Sequence, residues 1–187
     1  MSKIEINSNT APFPKPIVLV GSSVRGRPNF ITVAWFNRLN GLPNIWAVAL
    51  GKNKYTIEGI KENDSFSINI PSTELIEKTD FCGLHSGREV DKSTLFEVFY
   101  GKLANTPMIA ECPVNAECTV YEYVELPKTL LILGEVKHVY TEERFMTDGI
   151  LDPAKIDPII FTRPGDTYRA LGEIVGDAWS IGKNIEA

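Results

Sequence analysis

The chain has few of the groups from which most catalytic sites are built. Its 187 residues include two histidines and three cysteines. His85 and His138 lie far apart, and neither belongs to a metal-binding or triad pattern. No serine stands in a G-x-S-x-G nucleophile elbow. Cys82, Cys112 and Cys118 are odd in number and lack CxxC spacing, which argues against a zinc site or a disulfide framework. They read as buried or half-buried thiols. G-x-G-x-x-G and Walker A motifs are both missing, so neither a Rossmann dinucleotide site nor a P-loop is supported. Positive charge is not in surplus either: the net charge is −5 and the pI about 5.2. That argues against a nucleic-acid partner. No apolar run reaches the roughly 18 residues that cross a bilayer. The opening Met-Ser-Lys-Ile-Glu-Ile lacks the apolar core of a signal peptide. A cytoplasmic protein with no membrane partner is expected. No repeat, low-complexity tract or linker interrupts the chain, so one domain over residues 1–187 is expected.

What is present is mostly strand. Pro16–Val20 is a short β-branched run, Ser23–Pro28 a turn and Asn29–Phe36 the next strand, which predicts a hairpin. Ile45–Leu50 is apolar on both faces and reads as a central strand. Thr56 is placed as the N-cap of a helix carrying Ile57, Glu58 and Ile60. Ser65–Ile70 alternates like a half-buried strand. Residues 72–80 fit a short helix, and 81–104 read as loop. Glu117–Val124 alternates again. Thr129–Tyr140 is a long strand whose Gly134 marks a bulge or bend. Ile159–Phe161 is a last short strand. Many short strands and few helices predict a closed or partly closed barrel.

Three segments carry the chemistry. Asn29–Phe36 spaces an amide, a hydroxyl and an indole along an apolar strand. Lys52-Asn-Lys-Tyr-Thr56 and Ser86-Gly-Arg-Glu-Val-Asp-Lys92 then supply cations and hydroxyls. Lys52, Lys54, Thr56, Ser86, Arg88 and Lys92 are candidate phosphate donors, with Thr56 adding a helix start and its dipole. Gly87 lets backbone approach an anion closely. Trp35 and Phe36, adjacent on one strand, point to opposite faces. One fills the core and leaves the other free to wall a planar ligand. The pattern suits a ligand with a flat ring at one end and a phosphate at the other. Donors for a phosphate without an evident acid, base or nucleophile point to a cofactor that does the chemistry.

Six motifs in order resemble the flavin reductase-like family, nearest its flavoredoxin-like branch. They are Pro16-Ile-Val-Leu-Val20, Asn29-Phe-Ile-Thr-Val-Ala-Trp35, Lys54-Tyr-Thr56, Ser67-Ile-Asn-Ile-Pro71, Cys82-Gly-x-x-Ser-Gly-Arg-x-x-Asp-Lys92 and Leu133-Gly-Glu-Val136. The resemblance covers roughly residues 13–175. It implies a mainly β fold with a few helices, the FMN-binding split β-barrel, and a homodimer with non-covalent FMN near its interface. By position, Asn29, Thr32, Ala34 and Trp35 would line the isoalloxazine ring, and Val33 and Phe161 would also bind the cofactor. Lys54, Tyr55, Thr56, Ser86, Gly87 and Lys92 would surround the ribityl phosphate. The implied activity is electron transfer from NAD(P)H or a redox protein through FMN to a second acceptor. The alternative is a flavin-storing or partner-binding module without turnover. Many relatives carry a histidine near the flavin, five residues before the glycine of the G-E-V motif. Thr129 stands there in this chain.

Overall fold

The computed structural model describes residues 2–8, 10, 13–183 and 185. Its strands are β1 (Lys15–Pro16), β2 (Val18–Val24), β3 (Arg27–Val33), β4 (Phe36–Asn40), β5 (Ile45–Gly51), β6 (Ser65–Ile70), β7 (Val98–Phe99), β8 (Met108–Ile109), β9 (Val114–Glu125), β10 (Thr129–Thr141), β11 (Met146–Thr147), β12 (Ile150–Leu151), β13 (Ile160–Thr162) and β14 (Thr167–Arg169). The helices are α1 (Thr56–Asn63), α2 (Ile76–Leu84) and α3 (Pro153–Ile156). No helix among the described residues is long and apolar enough to cross a membrane.

The expected hairpin forms between β2 and β3, but its turn is only Arg25-Gly26. Both residues have positive φ, 52° and 74°, as a tight two-residue turn between twisted strands requires. Seven antiparallel strands then make one sheet in the order β3-β2-β6-β9-β10-β5-β4. Its edges, β3 and β4, do not pair with each other, so the barrel is split rather than closed. Val20, Ile31, Val48, Phe66, Ile68, Leu130 and Ile132 fill its interior. A second cluster, with Leu19, Phe30, Cys82 and Phe96, lies under α2. All three cysteines are buried thiols.

Several local expectations shift. The strand expected over Asn29–Phe36 stops at Val33, and Phe36 opens β4. Trp35 and Phe36 therefore do not share a strand. Phe36 packs edge-on against Trp46 at 5.5 Å, whereas Trp35 is 55% exposed. The edge strand β4 is silent in the sequence because Phe36-Asn-Arg-Leu-Asn lacks an apolar alternation. β6 is buried on both faces, not one. Its polar residues face loops rather than water: Ser67 bonds to the Pro107 carbonyl, and Asn69 donates to the Leu19 carbonyl and accepts from the Ile109 N–H and the Asn115 amide. β5 has neighbours on both sides but lies next to the edge. The helix expected at 72–80 begins at Ile76 and extends into the expected loop, as far as Leu84. At Gly134 the pairing of β9 and β10 skips a residue. A Cβ at Gly134 would collide with the Phe66 ring, so glycine lets the bent sheet close on its core.

A separate three-stranded sheet, β1-β13-β14, joins the two ends of the chain. Tyr168 on β14 donates to Asp80 of α2 at 2.6 Å. Burial and the neighbouring carboxylate push that phenol up to about 12. The bond pins the small sheet to the main body, above β3.

Candidate functional site

Two adjoining hollows run along the outer side of β3. The first, about 260 Å³, is lined by Thr32, Val33, Ala34, Trp35 and Phe161, with Lys15, Ala49, Gly51 and Arg163 around them. The second, about 190 Å³, is lined by Lys54, Tyr55, Thr56, His85, Ser86, Gly87, Arg88 and Lys92. Ile31, Lys54 and Gly83 border both, so the two make one groove. One end is flat and aromatic, the other rich in donors. Although the chain has 24 acidic residues, no aspartate or glutamate among the described residues lines either hollow.

The donor end is built from two turns. Tyr55, not Thr56, occupies the cap position of α1, and no side chain caps the helix. Thr56 is the first helical residue, almost fully buried, and its hydroxyl accepts a 2.8 Å bond from the Asn29 amide. That leaves the threonine proton free to donate into the groove. Among the described residues, the backbone N–H groups of Tyr55 and Thr56 have no partner, nor do those of Ser86 and Gly87. These are the unsatisfied donors of a helix start and of a tight turn. A Cβ at Gly87 would overlap the Asn29 amide oxygen, so only glycine fits that turn.

Lys92 is 98% buried, and its ammonium donates to the carbonyls of Cys82 at 3.1 Å and His85 at 3.0 Å. One of its three N–H donors remains uncommitted. Burial holds its pKa below that of an ordinary lysine. The same bonds tie the end of α2 to the turn over Lys92–Leu95. Arg88 stacks over Tyr55, 5.1 Å from the ring centre, and bonds to Glu58 and to the Asn53 carbonyl. Lys52 pairs with Glu125 and does not line the groove.

The structure thus brings twelve expected residues to the groove, Arg88 among them, with Asn29 and Lys52 the exceptions. Expected beside the ring, Asn29 instead stands behind the donor end and orients Thr56. Sequence reasoning missed Lys15 and Arg163 at the aromatic end. They come from opposite ends of the chain, and no local pattern marks them. His85 was visible only as an isolated histidine. It lines the donor end with its ring 4.1 Å from that of Phe81. Among the described residues, no imidazole, carboxyl or thiol lines the aromatic end. Burial pushes the Cys82 thiol up to about 11, too high for a nucleophile at neutral pH.

The sequence matches the family model described as flavin reductase like domain over residues 10–161. A crystal structure of flavoredoxin from Methanosarcina acetivorans superposes with a TM-score of 0.95 at 44% identity, covering 98% of each chain. Flavoredoxin of Desulfovibrio vulgaris (Miyazaki F) gives 0.89 at 33% identity, over 98% of this chain and 100% of that one. An uncharacterised protein from Archaeoglobus fulgidus is 33% identical over 138 residues, 71% of this chain and 76% of its own. The resemblance seen in the six motifs holds along most of the length, and the chain belongs to the flavin reductase-like domain family.

Proposed function

We propose that this chain is an FMN-binding flavoprotein oxidoreductase, working as a homodimer. Electrons would enter from NAD(P)H or a redox protein and leave to a second acceptor. The observation that carries this reading is the groove itself: aromatic at one end, crowded with unpaired donors at the other, and free of carboxylates. Its residues fit the cofactor's parts. Trp35, Phe161 and the β3 segment Thr32–Ala34 would line the ring. The hydroxyls of Thr56 and Ser86, the N–H groups of Tyr55 and Gly87, and the ammonium groups of Lys54 and Lys92 would hold the phosphate. Bound FMN supplies the redox chemistry; the protein binds, orients and sets the surrounding charge.

A carrier is favoured over an efficient nicotinamide-dependent reductase by one observation. Thr129 pairs with Gly51, which lines the aromatic end, so the threonine stands beside the place where a proton donor would act. A positioned acid or base commonly contributes about 10²–10⁴-fold. The purified protein should bind FMN one to one, with quenched flavin fluorescence. Mixed with NADH or NADPH without oxygen it should be reduced slowly, and quickly with dithionite. Turnover with either nucleotide at about 10 s⁻¹, the middle of the usual enzyme range, would sink the carrier reading. Failure to bind any flavin would sink the whole proposal.

A further inference from the structure

The aromatic end carries positive charge for which the phosphate of FMN has no use. That phosphate would bind at the far end of the groove, where Lys54, Arg88 and Lys92 stand. Lys15 and Arg163 line the ring end instead. The small sheet brings them there. Lys15 of β1 sits directly opposite Phe161 of β13, so their side chains share a face. Arg163 follows two residues after Phe161. The Lys15 ammonium lies 5.9 Å from the centre of the Trp35 ring and 5.2 Å from that of Phe13. Two aromatic faces hold it in place without cancelling its charge. Among the described residues it pairs with no carboxylate. Arg163 has one partner, Asp166 at 2.9 Å, and both are exposed to water that screens the pair.

We propose that Lys15, assisted by Arg163, sets the reduction potential of the bound flavin by fixing positive charge beside its ring. The inference rests on the FMN reading above. The oxidised ring is neutral. Uptake of two electrons and one proton, from whichever donor serves, leaves the ring with one negative charge. A fixed cation therefore binds the reduced cofactor more tightly than the oxidised one and makes the flavin easier to reduce. Lys15 transfers no proton in this role. It is a tuning residue, and what it changes is a potential rather than a bond.

The test uses the full-length protein loaded with FMN. Midpoint potentials are measured by anaerobic dithionite titration against a reference dye, and affinity for oxidised FMN by fluorescence quenching. Lys15→Gln should reduce the preference for the reduced form roughly tenfold, which lowers a two-electron potential by about 30 mV. Affinity for oxidised FMN should move by less than about threefold, because the neutral ring gains little from the charge. Lys15→Arg keeps the charge and should keep the wild-type potential. Arg163→Gln should shift it in the same direction by less. A wild-type potential in both Lys15→Gln and the K15Q/R163Q double variant would overturn the inference and leave the FMN reading standing. An equal fall in Lys15→Arg would overturn the charge argument in the same way. A wild-type protein that binds no FMN would overturn both.

Discussion

At the scale of single residues, Lys92 joins the fold to the groove. Its buried ammonium closes α2 through two carbonyls and keeps one donor for the groove. Charge-assisted hydrogen bonds are worth about 1.5–3 kcal/mol each. Lys92→Ala should weaken FMN binding by roughly one to two powers of ten and riboflavin binding much less. Calorimetric titration with both ligands separates the phosphate contact from general loosening of α2, which would weaken both alike. Glu117 is a second buried charged residue, and its role is in the fold alone. Fully buried on β9, it accepts from the N–H groups of Lys102 and Leu103 and from the hydroxyls of Thr106 and Tyr140. Burial alone would raise its pKa; the four bonds outweigh it, and the net lies below the ordinary 4.5. The unfolded chain therefore takes up the proton first as pH falls. The stabilisation is complete above about 4.5 and is lost as pH drops through the lower folded value. Urea midpoints should stay flat from neutrality to about pH 5 and decline below it. Glu117→Gln should cost about 1–3 kcal/mol at neutral pH, because the amide keeps one acceptor oxygen and turns an NH2 group toward a backbone N–H that the carboxylate had satisfied, and should flatten the acid decline. The alternation of β9 was legible in the sequence. That its one fully buried carboxylate would clamp the loop over Lys102–Thr106 was not, because three of the four donors, Lys102, Leu103 and Thr106, lie on a segment with no strand or helix signal.

At the scale of elements, the strands were readable wherever apolar residues alternated or ran together. β2, β5, β6 and β10 follow from composition alone. The strand expected at Ile159–Phe161 appears as β13, but β4, β1 and β14 were not legible, because a polar edge strand and strands of two or three residues have no period to detect. The start of α1 shows the limit differently. Threonine is a favoured cap, yet here its hydroxyl is engaged from outside by Asn29, and the helix begins one residue early. The groove's donor residues could be named from sequence because they cluster in two short segments. Their partition into cap, orienting group and free donor required the fold. Gly134 offers the sharpest test of an element. Gly134→Ala places a methyl against Phe66 and the Cys118 Cβ at the bend of β10. Overpacking of this kind should cost about 1–3 kcal/mol, read as a lower urea midpoint with an unchanged slope. A variant as stable as wild type would mean the sheet relaxes freely there.

At the scale of the whole molecule, the tail beyond the small sheet is the least self-sufficient part. Ile174, Val175, Trp179 and Ile181 are between 72% and 95% exposed. Large apolar groups so placed fit a surface that a second copy covers. Light scattering on the FMN-loaded protein should give about twice the 20.8 kDa chain mass. A variant truncated after Ala170 should shift toward monomer, and a clean wild-type monomer holding one FMN would refute a dimer-dependent site. The small sheet has a consequence of a different kind, for the order in which the protein comes off the ribosome. The donor end is encoded within residues 31–92, early in the chain. The cover over the aromatic end needs Lys15, made almost first, to wait for Phe161 and Arg163, made almost last. Until Tyr168 has emerged and can reach Asp80, a nascent chain lacks the bond that pins this cover in place. On the FMN reading proposed above, capture of the cofactor would wait for the finished chain.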